Sequence, residues 1–217
     1  MRPLTFLLFI AFSIFTNPAQ AMIYQIDKLT NHSNHTLNVV HMSGEMDDKE
    51  WQRWTFEIQE LDQQLDTLFI LNSPGGNVPV GFFTIKKVEE FLAAQAKAKH
   101  KTWIAIDGQC ASMCLPLFFT WPNRFALTAS TIGLHGVSDG RLGYDADLTR
   151  SYLDNMREHA RSRGETSALN WINQMVAEGE FSSPELTPHP VKEIANENGI
   201  LTPDEIVDTL TQLVDRL

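Results

Sequence analysis

Three short segments carry the residues with chemical potential: Leu71-Asn72-Ser73-Pro74-Gly75-Gly76, Gly108-Gln109-Cys110-Ala111-Ser112-Met113-Cys114 and Ile132-Gly133-Leu134-His135. They hold a hydroxyl at a turn, an imidazole and a glycine pair able to present peptide N–H groups, which are the parts that acyl transfer uses. A serine hydroxyl is a weak nucleophile until a base takes its proton, so Ser112 acts only where a histidine reaches it. If Ser112 opens a helix, the N–H of Met113 points to where a tetrahedral oxyanion forms, with the positive helix end behind it. Gly75 and Gly76 remove side chains where a substrate backbone must approach, and suit a second oxyanion donor. Singly, each feature has a plainer explanation: Ser112 as a helix cap, Pro74-Gly75-Gly76 as a turn.

Among seven histidines, His135 stands apart because it ends a strand beside the glycine-rich stretch 136–143, where a ring can be aimed into a cleft. His32, His35, His100 and His159 have polar neighbours, which fits exposure to solvent. His41 and His189 are less easily dismissed.

The elements that must position these residues alternate. Strands are expected over 36–42, 67–72 and 102–106, a helix over 51–65, and another after the glycines with Phe82, Phe83, Ile85, Val88, Phe91 and Leu92 on one face. This order predicts an α/β fold with a mostly parallel sheet flanked by helices. Ser112 falls where the third strand gives way to a helix through 117–119. Short strands follow at 125–127 and 131–134, then helices at 148–160, 167–177 and 191–198, the last stopped by Gly199. Thr202-Pro203-Asp204-Glu205 reads as the capped start of a final helix.

Residues 1–21 read as a signal peptide: Arg2, an apolar run from Leu4 to Phe15, and the small-residue site Ala19-Gln20-Ala21. The run is shorter than the ~20 apolar residues of a spanning helix. Residues 22–217 then form a single domain, periplasmic or secreted. Seventeen Lys plus Arg against twenty-seven Asp plus Glu give a formal net charge of −10, which leaves a nucleic-acid partner without its electrostatic basis. In an oxidising compartment Cys110 and Cys114 can pair, whereas no spacing suggests a metal site.

Taken in order, these motifs resemble the Clp protease proteolytic-subunit superfamily, with its crotonase-type spiral of ββα units. Ser43-Gly44-Glu45 is similar to its early Gly-Glu element, Asn72-Ser73-Pro74-Gly75-Gly76 to its oxyanion strand, and Ala111-Ser112-Met113 to its nucleophile motif. Ile132-Gly133-Leu134-His135 resembles the segment carrying its histidine, and residues 193–201 its closing helix. Cys110 and Cys114 fit an exported bacterial subgroup with a Cys-Ala-Ser-x-Cys segment. The resemblance implies Ser112 as nucleophile, His135 as general base, and the N–H groups of Gly76 and Met113 as oxyanion hole.

The third member departs from the pattern, since no aspartate lies between Asp154 and Asp204. Glu185 is the nearest candidate carboxylate and Glu180 the second. Loss of such an orienting group costs on the order of 10⁴ in rate. The expectation is therefore an exported serine hydrolase, by preference a peptidase acting on peptide or protein through an acyl-enzyme. It needs no cofactor or metal, meets no ATP-driven unfoldase outside the cytoplasm, and belongs to a superfamily in which homo-oligomers are common. Two alternatives stand beside it: a catalytically silent peptide-binding module on the same fold, and crotonase-like acyl-thioester chemistry, disfavoured because an exported protein rarely meets coenzyme A.

Overall fold

The computed structural model describes residues 23–46, 53–54, 56–62, 64–138, 143–195 and 200–217. The expected signal peptide, Trp51 of the second expected element, residues 139–142 of the glycine-rich stretch and residues 196–199 lie outside them.

Three apolar runs build the centre of the sheet: β2 (Thr36–Ser43), β3 (Asp66–Ser73) and β4 (Thr102–Ala111), each buried over most of its length. Burial on both faces is what a parallel sheet between helices demands. They pair in parallel, with Val40 opposite Phe69 and Phe69 opposite Ile104. β1 (Ile23–Thr30) adds antiparallel along the whole of β2. On the other side, β5 (Arg124–Leu127) joins the first half of β4, and β8 (Ile206–Val207) joins β5, both parallel. β6 (Thr131–Leu134) takes the second half of β4 in parallel and pairs antiparallel with β7 (Thr187–Pro190). The sheet is thus mixed and mostly parallel.

β4 changes partner through a break at Asp107-Gly108, and the freed backbone groups are satisfied locally. The Ser130 hydroxyl donates to the Ile106 carbonyl at 2.9 Å and accepts the Gly108 N–H at 3.1 Å, while Asn72 Oδ1 accepts the Gln109 N–H at 3.0 Å. Such satisfaction lets an irregular strand remain buried.

Alternation along the strands sends side chains to two cores. Val40, Phe69 and Ile104 join the larger one, under α1 (Val78–Lys97), α2 (Cys114–Phe118), α3 (Ala146–Ser162) and α4 (Thr166–Ala177). Phe69 lies at its centre, with ring centroids 5.8 Å from Phe91 and 5.0 Å from Trp121. Val39, Leu68 and Trp103 join the smaller core, with Leu213 and Val214 of the C-terminal helix, which spans Leu210–Arg216 and is α6 after the short α5 (Val191–Ile194). Among the described residues no helix is long and apolar enough to cross a membrane.

Several elements differ from expectation. β1, β7 and β8 carry no alternating pattern: β1 is an edge strand with mixed exposure, β7 reads Thr-Pro-His-Pro, and β8 has two residues. The capping box at Thr202 and Glu205 forms, but it closes only the 3-10 turn Pro203–Glu205. β8 follows that turn, and α6 starts afresh on the Thr209 cap. The helix expected over 51–65 ends early, in the 3-10 turn Ile58–Glu60, after which the Leu65 N–H donates to the Asp62 carbonyl in a turn feeding β3.

Candidate active site

Ala111 of β4 stands opposite Gly133 of β6 in parallel register. Neighbouring strands are ~4.8 Å apart, so the chain emerges from their ends with Ser112 and His135 on adjacent tracks. Ser112 has φ +52°, a left-handed conformation that costs a residue with a side chain on the order of 1 kcal/mol. The surroundings over-determine it. Its N–H donates to the Gly133 carbonyl at 3.2 Å, and its own carbonyl accepts the Leu115 N–H at 2.9 Å and the Tyr152 hydroxyl at 2.9 Å. A Cys110–Cys114 disulfide brackets the turn, with Cα atoms 5.3 Å apart and both residues buried.

The glycine segment crosses directly over this turn. A Cβ on Gly75 would sit 2.6 Å from Ser112 Cβ and 2.9 Å from the Met113 nitrogen, so only glycine fits. The Gly75 N–H, expected as an oxyanion donor, is instead taken by Ser73 Oγ at 3.1 Å. Gly75 therefore supplies closeness rather than a donor. Its carbonyl accepts the Met46 N–H at 2.7 Å, and the Asn77 N–H returns to the Met46 carbonyl at 3.2 Å, which pins Gly76 between them. The N–H groups of Gly76 and Met113 donate to no acceptor among the described residues.

His135 follows β6. Its Nδ1 lies 2.7 Å from the Gly136 carbonyl oxygen. A carbonyl can only accept, so Nδ1 carries the proton in that contact, which in the neutral tautomer leaves Nε2 as the acceptor. Gly136 is itself fixed: its N–H donates to the Ser183 carbonyl at 2.6 Å, and an added Cβ would lie 2.3 Å from the Tyr144 ring. Among the described residues no carboxylate reaches the imidazole. Glu185 is exposed, with its N–H on Ser183 Oγ at 3.1 Å, and the contact its segment makes here is main-chain, from the Ser183 carbonyl to the Gly136 N–H. Glu180 pairs with His189 Nε2 at 3.4 Å.

Ser112 and His135 line one cleft of about 610 Å³. Val78, Pro79 and Phe82 from the start of α1, with Val137 and Leu148, form its apolar wall, and Asn77, Ser138, Ser151 and Asn155 supply uncharged polar groups. The Ser112 hydroxyl and His135 ring are not hydrogen-bonded to each other; a base often tightens onto its nucleophile only when substrate is bound. No cluster of metal-ligating side chains occurs among the described residues.

Neither a protein-family model nor a curated protein matches this chain.

His159, expected at the surface, is mostly buried: its side chain is 10% exposed on α3, 3.7 Å from Glu89. Burial, then the Arg163 and Arg124 charges, push its pKa down to about 4. Tyr152 and Ser73 escaped the sequence reading as positioning groups. Tyr152 looked like any core residue of an amphipathic helix, and its hydroxyl's partner is a carbonyl forty positions away.

Proposed function

We propose that the chain is an exported serine hydrolase of the Clp-protease-like kind, by preference a peptidase, in which Ser112 attacks an acyl carbon, expels the amine and becomes the ester of an acyl-enzyme. The observation that carries the reading is the Ser112 turn, left-handed and clamped, with two N–H groups beside it that have no acceptor among the described residues, and the ring of His135 on the same cleft. In this mechanism His135 Nε2 takes the Ser112 proton as the C–O bond forms. The N–H groups of Gly76 and Met113 receive the oxyanion, and the same imidazolium returns the proton to the leaving amine. Water then repeats the cycle on the ester.

The Gly136 carbonyl does the orienting work that a carboxylate does elsewhere, fixing the tautomer without supplying a full negative charge. Turnover is accordingly slow. Glu185 has no part in it. We further read the parallel sheet and its helices as the crotonase-type ββα spiral, and the disulfide as the mark of an oxidising, periplasmic or secreted location reached through residues 1–21. The test is labelling with an alkyl fluorophosphonate: wild type reacts and Ser112→Ala does not. Equal labelling of both removes the nucleophile assignment.

A histidine with no carboxylate partner among the described residues favours a second reading, a module that holds an extended peptide without cleaving it. Equal peptide affinity in wild type and Ser112→Ala, with turnover by neither, selects it.

A further inference from the structure

The cleft does not stop at its rim. Ser151 and Asn155 line it and also line a second depression, of about 590 Å³, along the outer face of α3. The two are therefore contiguous, but their chemistry differs. The wall nearest Ser112 is apolar or uncharged, whereas the outer groove carries Arg150, Asp154, Glu158 and Arg161. These side chains are 55–75% exposed, and along the helix the two arginines flank the two carboxylates. Asn155 Nδ2 is committed to the Ser151 carbonyl at 2.8 Å, which leaves its Oδ1 to accept from whatever crosses the junction.

We propose that the occupant is an extended polypeptide that runs from Ser112 across Ser151 and Asn155 and out along α3, uncharged next to the reacting bond and polar or charged in its flank. A small ester or thioester fits the inner cleft alone and leaves the outer groove without a role. The helix rises 1.5 Å per residue, so the stretch from Leu148 to Arg161 is ~20 Å long, the reach of about six residues of extended chain. This length is the quantitative content of the proposal. The inference rests on the same cleft as the hydrolase reading but not on its chemistry.

Binding to the Ser112→Ala protein separates the two. Fluorescent peptides with an uncharged core are lengthened in steps from two to eight residues, in one series towards the N-terminus and in another towards the C-terminus, and Kd is read by anisotropy. In one series Kd falls by about tenfold up to roughly six added residues and then levels, and a photoreactive residue at the end of that flank attaches within 150–161. Kd insensitive to length in both series, attachment elsewhere, or no binding at any length overturns the proposal. Fluorophosphonate labelling of wild type, with a probe too small to enter the outer groove, is read alongside. Retained labelling with flat length dependence discards the track and leaves the hydrolase. Lost labelling with clear length dependence keeps the track and discards the hydrolase.

Discussion

The hydroxyl of Tyr152 donates to the carbonyl oxygen of Ser112 at 2.9 Å, from a residue that is 2% exposed. Burial pushes this phenol above its usual range, which favours the protonated form that donates. A helix thereby grips the main chain of the proposed nucleophile from behind, without touching anything that reacts.

Replacing Tyr152 by Phe keeps the ring and deletes the donor. The Ser112 carbonyl still receives the Leu115 N–H, so the loss of stability is about 1 kcal/mol, measured by chemical denaturation. Fluorophosphonate labelling slows several-fold while peptide affinity holds, because Tyr152 positions the turn and lies outside the cleft lining. An unchanged labelling rate would make the contact purely structural.

Gly75→Ala places a methyl group 2.6 Å from Ser112 Cβ at φ +98°. Either the glycine segment lifts or the Ser112 turn relaxes. The expected result is a destabilisation of about 1–3 kcal/mol together with loss of labelling. Near-UV circular dichroism shows whether the remaining core is intact.

The Cys110–Cys114 bridge closes a loop of separation four, for which the chain-entropy model gives only about 2 kcal/mol. A Cys110→Ser, Cys114→Ser variant should therefore fold, with a modest drop in denaturation midpoint. Its labelling rate should fall further than its stability, since the bridge spans both sides of Ser112. Equal, small effects on both would reduce the bridge to a staple.

How much of this was legible in advance follows from the kind of signal involved. The buried strands announce themselves in runs such as Phe69-Ile70-Leu71 and Ile104-Ala105-Ile106, and the Ser112 junction in small residues after such a run. Edge and two-residue strands do not, because β1 and β8 are defined by their neighbours and not by their own pattern. The search for a third catalytic group was bound to look for an acidic side chain, which led to Glu185. The partner found on Nδ1 is a peptide carbonyl, and every residue has one.

Glu185→Gln should accordingly leave both stability and labelling unchanged within error. Its side chain is exposed and contacts nothing at the site. A tenfold fall in labelling would restore the carboxylate to the mechanism.

His159 makes stability depend on pH. Its pKa is about 4 in the folded protein against the ordinary 6.5, so between these values the unfolded chain binds the extra proton. Stability contributed by the neutral ring is whole above pH 6.5, declines as pH falls towards 4 and levels off below. The full span is about 3 kcal/mol by linkage. His159→Gln should flatten this limb of the denaturation-midpoint curve relative to wild type, and parallel curves would refute the assignment.

The bond from His135 to Gly136 has a corollary for anyone scanning the protein by substitution. An oxygen of the chain itself cannot be deleted by exchanging one amino acid for another, so alanine replacements across 176–195 will uncover no acidic partner. Damage will come from the opposite direction, by adding atoms at position 136 where the Tyr144 ring already fills the space. Within this region, growth in side-chain size, and not loss of a functional group, is what the base cannot tolerate.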